Sequence, residues 1–174
     1  MTSTPSYKVK ITPLLIIRSL AFNASFFTWA FIASILFLPL FIISEKHAQK
    51  VGKPWAAVSL FLARIFCGIR YEIRGYENIQ NIPAIYASKH QSAWDTIIFH
   101  LLLPRVAFVL KRELLHLPFW GWYLWRMKMI AIDRSAGASS IKQLVRDSKT
   151  ALLDGRPIII VPEGTRTRPN ATPN

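Results

Sequence analysis

The sequence predicts an α/β domain, a mixed and mainly parallel sheet covered by helices, preceded by an N-terminal membrane helix or helical hairpin. Three observations carry this. No charged residue occurs from Ser19 to Ser44, a run longer than the roughly 20 apolar residues a helix needs to cross the hydrocarbon layer. Beyond Gly68 the texture changes to apolar runs of strand length separated by stretches with helical spacing. Finally, the 174 residues are 52% hydrophobic and still carry a formal net charge of +13. That combination suits a membrane protein whose exposed face meets anionic lipid or phosphorylated ligands. The division falls after Cys67, with 1–67 as a membrane-associated helical segment and 68–174 as the α/β domain.

Residues 1–10 are polar and read as a frayed end. The charge-free run that follows is too long for a signal peptide and lacks a small-x-small cleavage site. Lys8, Lys10 and Arg18 precede it and Lys46, Lys50 and Lys53 follow it, so the positive-inside signal cancels. Pro39, with a second apolar stretch from Trp55 to Phe66, allows a re-entrant hairpin or a helix within one leaflet as well as a span. The single cysteine, Cys67, excludes an internal disulfide and is expected to be a small buried hydrophobe.

In the second part, Ile69 to Arg74 alternates with period two and predicts a strand ended by Gly75. Pro83 to Ser88 predicts a more buried strand, Thr96 to Leu103 a helix ended by Pro104, and Val106 to Leu110 and Met129 to Ile132 two further strands. Ile141, Leu144, Val145, Ser148, Ala151 and Leu152 lie at helical spacing, so a helix is expected over 139–153 with Gly155 past its C-terminus. Ile158 to Val161 is a strongly apolar strand stopped by Pro162.

Chemistry concentrates at Ser88-Lys89-His90-Gln91-Ser92-Ala93-Trp94-Asp95-Thr96. Ser92 and Asp95 have the [ST]-x-x-[DE] spacing of a helix start, which leaves His90 in the loop before it. A turn between them lets His90 fold back to the Asp95 carboxylate. The carboxylate then fixes the imidazole tautomer and leaves the second ring nitrogen free as a base. No Ser or Cys partner is evident, so the nucleophile belongs to the substrate. In Val161-Pro162-Glu163-Gly164-Thr165-Arg166 an apolar strand runs into a glycine that permits close backbone approach. Arg166 there forks onto phosphate oxygens, Thr165 adds a hydroxyl, and Glu163 holds a basic neighbour or the acceptor. Lys111 and Arg134 each follow a predicted strand, where ligands of α/β sheets gather, and each reads equally as a phosphate-binding group or as one of many lipid-facing charges. Phe119, Trp120, Trp122, Tyr123 and Trp125 suit the headgroup zone of a membrane, or else ordinary core packing. His47, His100 and His116 have no partners at metal-ligand spacing, so no metal is expected. The cations are spread along the chain with no nucleic-acid motif, so no nucleic-acid partner is expected either.

Taken in order, His90-Gln91-Ser92-Ala93-Trp94-Asp95, Lys111-Arg112-Glu113-Leu114 through Pro118 to Gly121, Ile132-Asp133-Arg134 and Glu163-Gly164-Thr165-Arg166 resemble the four blocks of the glycerolipid acyltransferases, the family that includes 1-acylglycerol-3-phosphate acyltransferase. The resemblance implies that His90, held by Asp95, deprotonates the free hydroxyl of 1-acyl-glycerol-3-phosphate. That hydroxyl attacks an acyl thioester of coenzyme A or acyl carrier protein and gives phosphatidic acid, with no further cofactor. It implies that Glu163, Gly164, Thr165, Arg166, Lys111 and Arg134 bind substrate. It also implies a membrane location with the site on the cytoplasmic side, where thioester donors are found. Two features depart from the pattern. Arg126-Met127-Lys128-Met129 stands where members commonly carry a glycine before the third block. Only eight residues follow Arg166, where members continue through further elements, so the chain reads as short at its C-terminus. The alternatives are acylation of another lysolipid or of glycerol-3-phosphate, a transacylase, or a truncated, non-catalytic membrane protein that binds lipid.

Overall fold

A computed structural model describes residues 11–166; the frayed end expected over 1–10 lies outside them. Helix α1 (Pro13–Ile43) starts at Thr12, whose side chain accepts from the Leu15 N–H at 3.2 Å, with Pro13 at a first-turn position where a missing N–H costs nothing. It runs through Pro39 to its end, and it is long and apolar enough to cross a membrane. The short α2 (Glu45–Lys50) and α3 (Gly52–Leu62) follow, and a π-helical stretch over Ala63–Cys67 ends on Gly68 at φ 70°. The chain then folds back along α1. Trp29 Nε1 donates to the Trp55 carbonyl at 3.2 Å, and Arg18 Nε donates to that of Phe66 at 2.6 Å, so α1 and α3 run antiparallel. Cys67 is exposed rather than buried, because the wider turn leaves it on the outer side.

The sheet contains β1 (Ile85–Ala87), β2 (Ala107–Lys111), β3 (Ile130–Ile132) and β4 (Ile158–Ile160) in the order β1-β4-β2-β3. All four are parallel, with Ile85 beside Ile158, Ala107 beside Ile158, and Val109 beside Ile130; the expected antiparallel component is not seen among the described residues. Residues 69–74 form no strand. Alternation marks which side chains differ, but a strand also needs a neighbour to bond. Here Glu72 and Arg74 pair with each other on the surface at 3.1 Å instead. Helix α4 (Ala93–Leu102) follows β1, α5 (Trp120–Arg126) precedes β3, and α6 (Ala138–Leu153) connects β3 to β4.

Parallel strands are covered on both faces, and the side-chain alternation along them shows how. Ala107, Ile130 and Ile158 pack with Ala151 of α6. Phe108 and Ile159, one residue on, face the other way and join Phe41 of α1 and Ala48 and Val51 of the α2–α3 segment. The N-terminal helices thus form one layer of the core. At the N-terminal edge of the sheet, Arg156 is 2% exposed and its guanidinium donates to the carbonyls of Arg105, Met127 and Lys128 at 2.9–3.0 Å. One side chain there satisfies backbone acceptors from the approaches to β2 and β3.

Candidate active site

Parallel strands point their carboxyl ends the same way, so the loops after β1, β2, β3 and β4 meet at one edge. His90, Arg134 and Gly164 on these loops and Lys111 at the end of β2 all line one cavity of about 420 Å³. The rest of its wall is mainly apolar and includes Ala30, Ala33 and Phe37 of α1, Trp55 of α3, and Trp120 and Tyr123 of α5.

The start of α4 sets the position of His90. Ser92 caps the helix, its hydroxyl accepting from the Trp94 N–H at 3.2 Å. Asp95 reaches back so that Oδ2 accepts from the N–H groups of Gln91 at 2.6 Å and Ser92 at 2.8 Å. This reciprocal capping curls the chain before the helix and brings His90 Nδ1 to 3.3 Å from the same oxygen, both side chains being 21% exposed. Burial raises the Asp95 pKa, but the N–H groups of Ser92 and Gln91 and the imidazole outweigh it and hold the carboxyl below its ordinary value. An ionised carboxylate only accepts, so Nδ1 carries the ring proton and Nε2 is left as the basic nitrogen.

The third and fourth blocks are tied together. Arg134 Nη1 donates to the Gly164 carbonyl at 2.6 Å. Gly164 sits at φ 66°, a backbone angle that favours glycine, and a Cβ there would stand 2.6 Å from the same nitrogen and push the Arg134 guanidinium aside. Asp133 accepts from the N–H and hydroxyl of Ser135 and starts the turn that presents Arg134. These two bonds, with the charge of Arg112, hold its carboxyl below the ordinary range. Glu163 is half-buried and Thr165 and Arg166 are exposed, and none of the three lines the cavity.

Sequence reasoning did not single out Thr96 or Trp120 as cavity walls, nor place His100 there. His100 lies beneath the cavity between Trp55 and Phe108, with ring centroids 6.2 and 4.9 Å away. Burial pushes its pKa down to about 4, so it is neutral at pH 7. Its signal was a polar residue set in the apolar stretch from Ile97 to Leu102. Among the described residues no group of three His, Cys, Asp or Glu side chains is arranged to hold a metal.

Known proteins resemble this chain in sequence and in fold. The chain is 40% identical over 147 residues to the 1-acyl-sn-glycerol-3-phosphate acyltransferase of Pseudomonas aeruginosa, covering 84% of this chain and 56% of that one. It is 30% identical over 156 residues to a protein of the same description from Chlamydomonas reinhardtii, covering 82% and 45%. It spans about half the length of the curated relatives it matches. The crystal structure of the 1-acyl-sn-glycerophosphate acyltransferase from Thermotoga maritima shares the fold, with a TM-score of 0.67, 22% identity, and coverage of 88% of this chain and 64% of that one. The family profile described as Acyltransferase matches residues 70–172, and the chain belongs to the acyltransferase family.

Proposed function

We propose that this chain transfers a fatty acyl group from an acyl thioester, on coenzyme A or acyl carrier protein, to the free hydroxyl of 1-acyl-glycerol-3-phosphate. The observation that carries the reading is a His–Asp pair at the mouth of an apolar cavity whose rim holds Lys111 and Arg134. Base, anion-binding groups and acyl-chain space are thereby adjacent.

Nε2 of His90 takes the proton of the acceptor hydroxyl as its oxygen attacks the thioester carbonyl. Asp95 stabilises the imidazolium that forms and keeps the ring from turning. The tetrahedral intermediate collapses by breaking the C–S bond, and the thiolate recovers the proton from Nε2. The products are an ester and a free thiol, and His90 returns to its starting state. Because the acceptor is itself the nucleophile, no acyl-enzyme forms. Arg134, anchored on the Gly164 carbonyl, keeps further N–H groups for a phosphate, and Lys111 adds a point charge. Glu163, Thr165 and Arg166 complete the acceptor side of this reading. Helix α1 associates the chain with the membrane that holds the lipid substrate, with the site on the cytoplasmic side where the thioester donor is available.

Acyl transfer by the purified, detergent-solubilised chain, given lysophosphatidic acid and an acyl thioester, tests this alongside His90→Ala. Ester formation that is lost in the variant supports it. A folded wild-type chain that binds lysolipid without forming ester is instead a lipid-binding protein.

A further inference from the structure

Helix α5 carries its one charge, Arg126, at its C-terminal end and is otherwise apolar or aromatic on every side. Trp120, Tyr123 and Leu124 turn into the cavity, while on the opposite side Phe119 is 79% and Trp125 62% exposed, with Trp122 also exposed. A short helix with no polar face is stable only when something apolar covers its outer side. Phe119 is held outward at φ 61°, a backbone angle that disfavours any side chain.

The surroundings identify what covers this face. The Tyr123 hydroxyl donates to the Ser34 carbonyl, Phe41 packs edge-on against Tyr123 at 4.3 Å, and Arg126 Nε donates to the Phe41 carbonyl at 2.6 Å. Helix α5 therefore lies along residues 34–42 of α1, whose outward Ile35, Leu36, Leu38 and Ile42 are exposed. The aromatic face thus continues the exposed face of the one described helix long and apolar enough for a membrane. Trp is the side chain that settles at the headgroup level of a leaflet, and exposed cations flank the helix, Arg112 before it and Lys128, paired with Glu45, after it.

We propose that the outer face of α5, Phe119, Trp122 and Trp125, inserts into the interfacial zone of a phospholipid leaflet. Trp120, at once a cavity wall and partly exposed, then stands at a lateral opening through which lipid chains pass between leaflet and cavity. The lateral opening rests on the acyl-transfer reading; the insertion does not.

The test uses the full chain in phosphatidylcholine–phosphatidylglycerol vesicles. In a Cys67→Ser background, an environment-sensitive fluorophore is attached to Phe119→Cys, Trp125→Cys or, on α6 at the opposite face of the sheet, Lys149→Cys. Lipids with a nitroxide near the headgroup are expected to quench the first two labels several-fold more than the third, and aqueous iodide to show the reverse order. Since both aromatic positions are exposed, the labelled chains should melt as wild type does; Trp122→Cys replaces either that does not. Equal nitroxide quenching at all positions overturns the proposal, as does protection of 119 and 125 from both quenchers, the sign of a protein cover. Quenching needs no turnover, so an inactive chain with the expected pattern removes the acyl-transfer reading and leaves insertion standing, while an active chain without it does the opposite.

Discussion

Replacing Asp95 with Asn separates capping from catalysis. A single oxygen accepts from two backbone N–H groups, at 2.6 and 2.8 Å, and faces His90 Nδ1 at 3.3 Å. Hydrogen bonds to a charged group contribute ~1.5–3 kcal/mol against ~1 for neutral ones, so losing the charge over two backbone bonds costs roughly 1–4 kcal/mol of stability. Turnover should suffer more. An amide either offers the ring an uncharged oxygen or turns its NH₂ toward Nδ1, which drives the proton to Nε2, the nitrogen that must be free. General-base catalysis contributes about 10²–10⁴-fold, and kcat is expected to fall within that range. Ser92→Ala is the control, because it removes only the hydroxyl that accepts from Trp94. It should cost ~1 kcal/mol as a lost cap and leave turnover close to wild type. Initial rates of thiol release, with melting curves in the same detergent, measure both effects. If the two variants lose rate in proportion to stability, Asp95 is only a cap and the relay is wrong. The pH dependence of stability has a definite sign. The folded pKa lies below 3.8, so the Asp95 contribution is complete above that value and disappears as pH falls through the folded pKa. The Asn variant should lack that acid-side loss.

Three other outcomes are expected. Gly164→Ala places a side chain at positive φ against Arg134, which costs ~1–2 kcal/mol; the KM for the phosphate-bearing acceptor should rise while that for the thioester changes less, as steady-state kinetics would show. His100, neutral in the fold until about pH 4, is protonated in the unfolded chain below its ordinary 6.5, so stability should fall by roughly 3 kcal/mol as pH drops between these values. Thermal melts of His100→Gln should show that slope removed. Arg156→Ala leaves the carbonyls of Arg105, Met127 and Lys128 without their donor; at ~1–3 kcal/mol per unsatisfied group the melting transition should drop sharply, and Arg156→Lys, lacking the planar fork, should not restore it.

What the sequence disclosed follows from the range of the interactions involved. The strands at 85–87, 107–111, 130–132 and 158–160 and the helices at 93–102 and 138–153 are set by local apolar runs and local stop signals. The His90–Asp95 contact was equally legible, because a helix cap fixes it within five residues. Residues 69–74 misled because alternation is a local property and strand pairing is not. Arg156 escaped notice for a related reason: a cation before an apolar strand ordinarily sits in water, and its burial depends on carbonyls contributed from residues 105–106 and 127–128.

The cavity was hidden by a limit of hydropathy itself. In a membrane-type helix nearly every residue is apolar, so polarity cannot tell the protein-facing side from the outer one. Over residues 27–35 side-chain size can, although beyond them Phe37 and Phe41 also face the cavity. Ala30, Ala33 and Ser34 recur at i, i+3 and i+4 and turn toward the cavity, whereas Phe27, Phe31, Ile35 and Leu38 at the same spacing are exposed. In that stretch small residues let the α1 backbone stand close to the domain without filling the cavity, and bulky residues cover the outside. Charge-free length alone therefore describes α1 incompletely. The same residues that qualify it as a membrane helix wall the site, and a bulky side chain at Ala33 would be felt first as lost cavity volume.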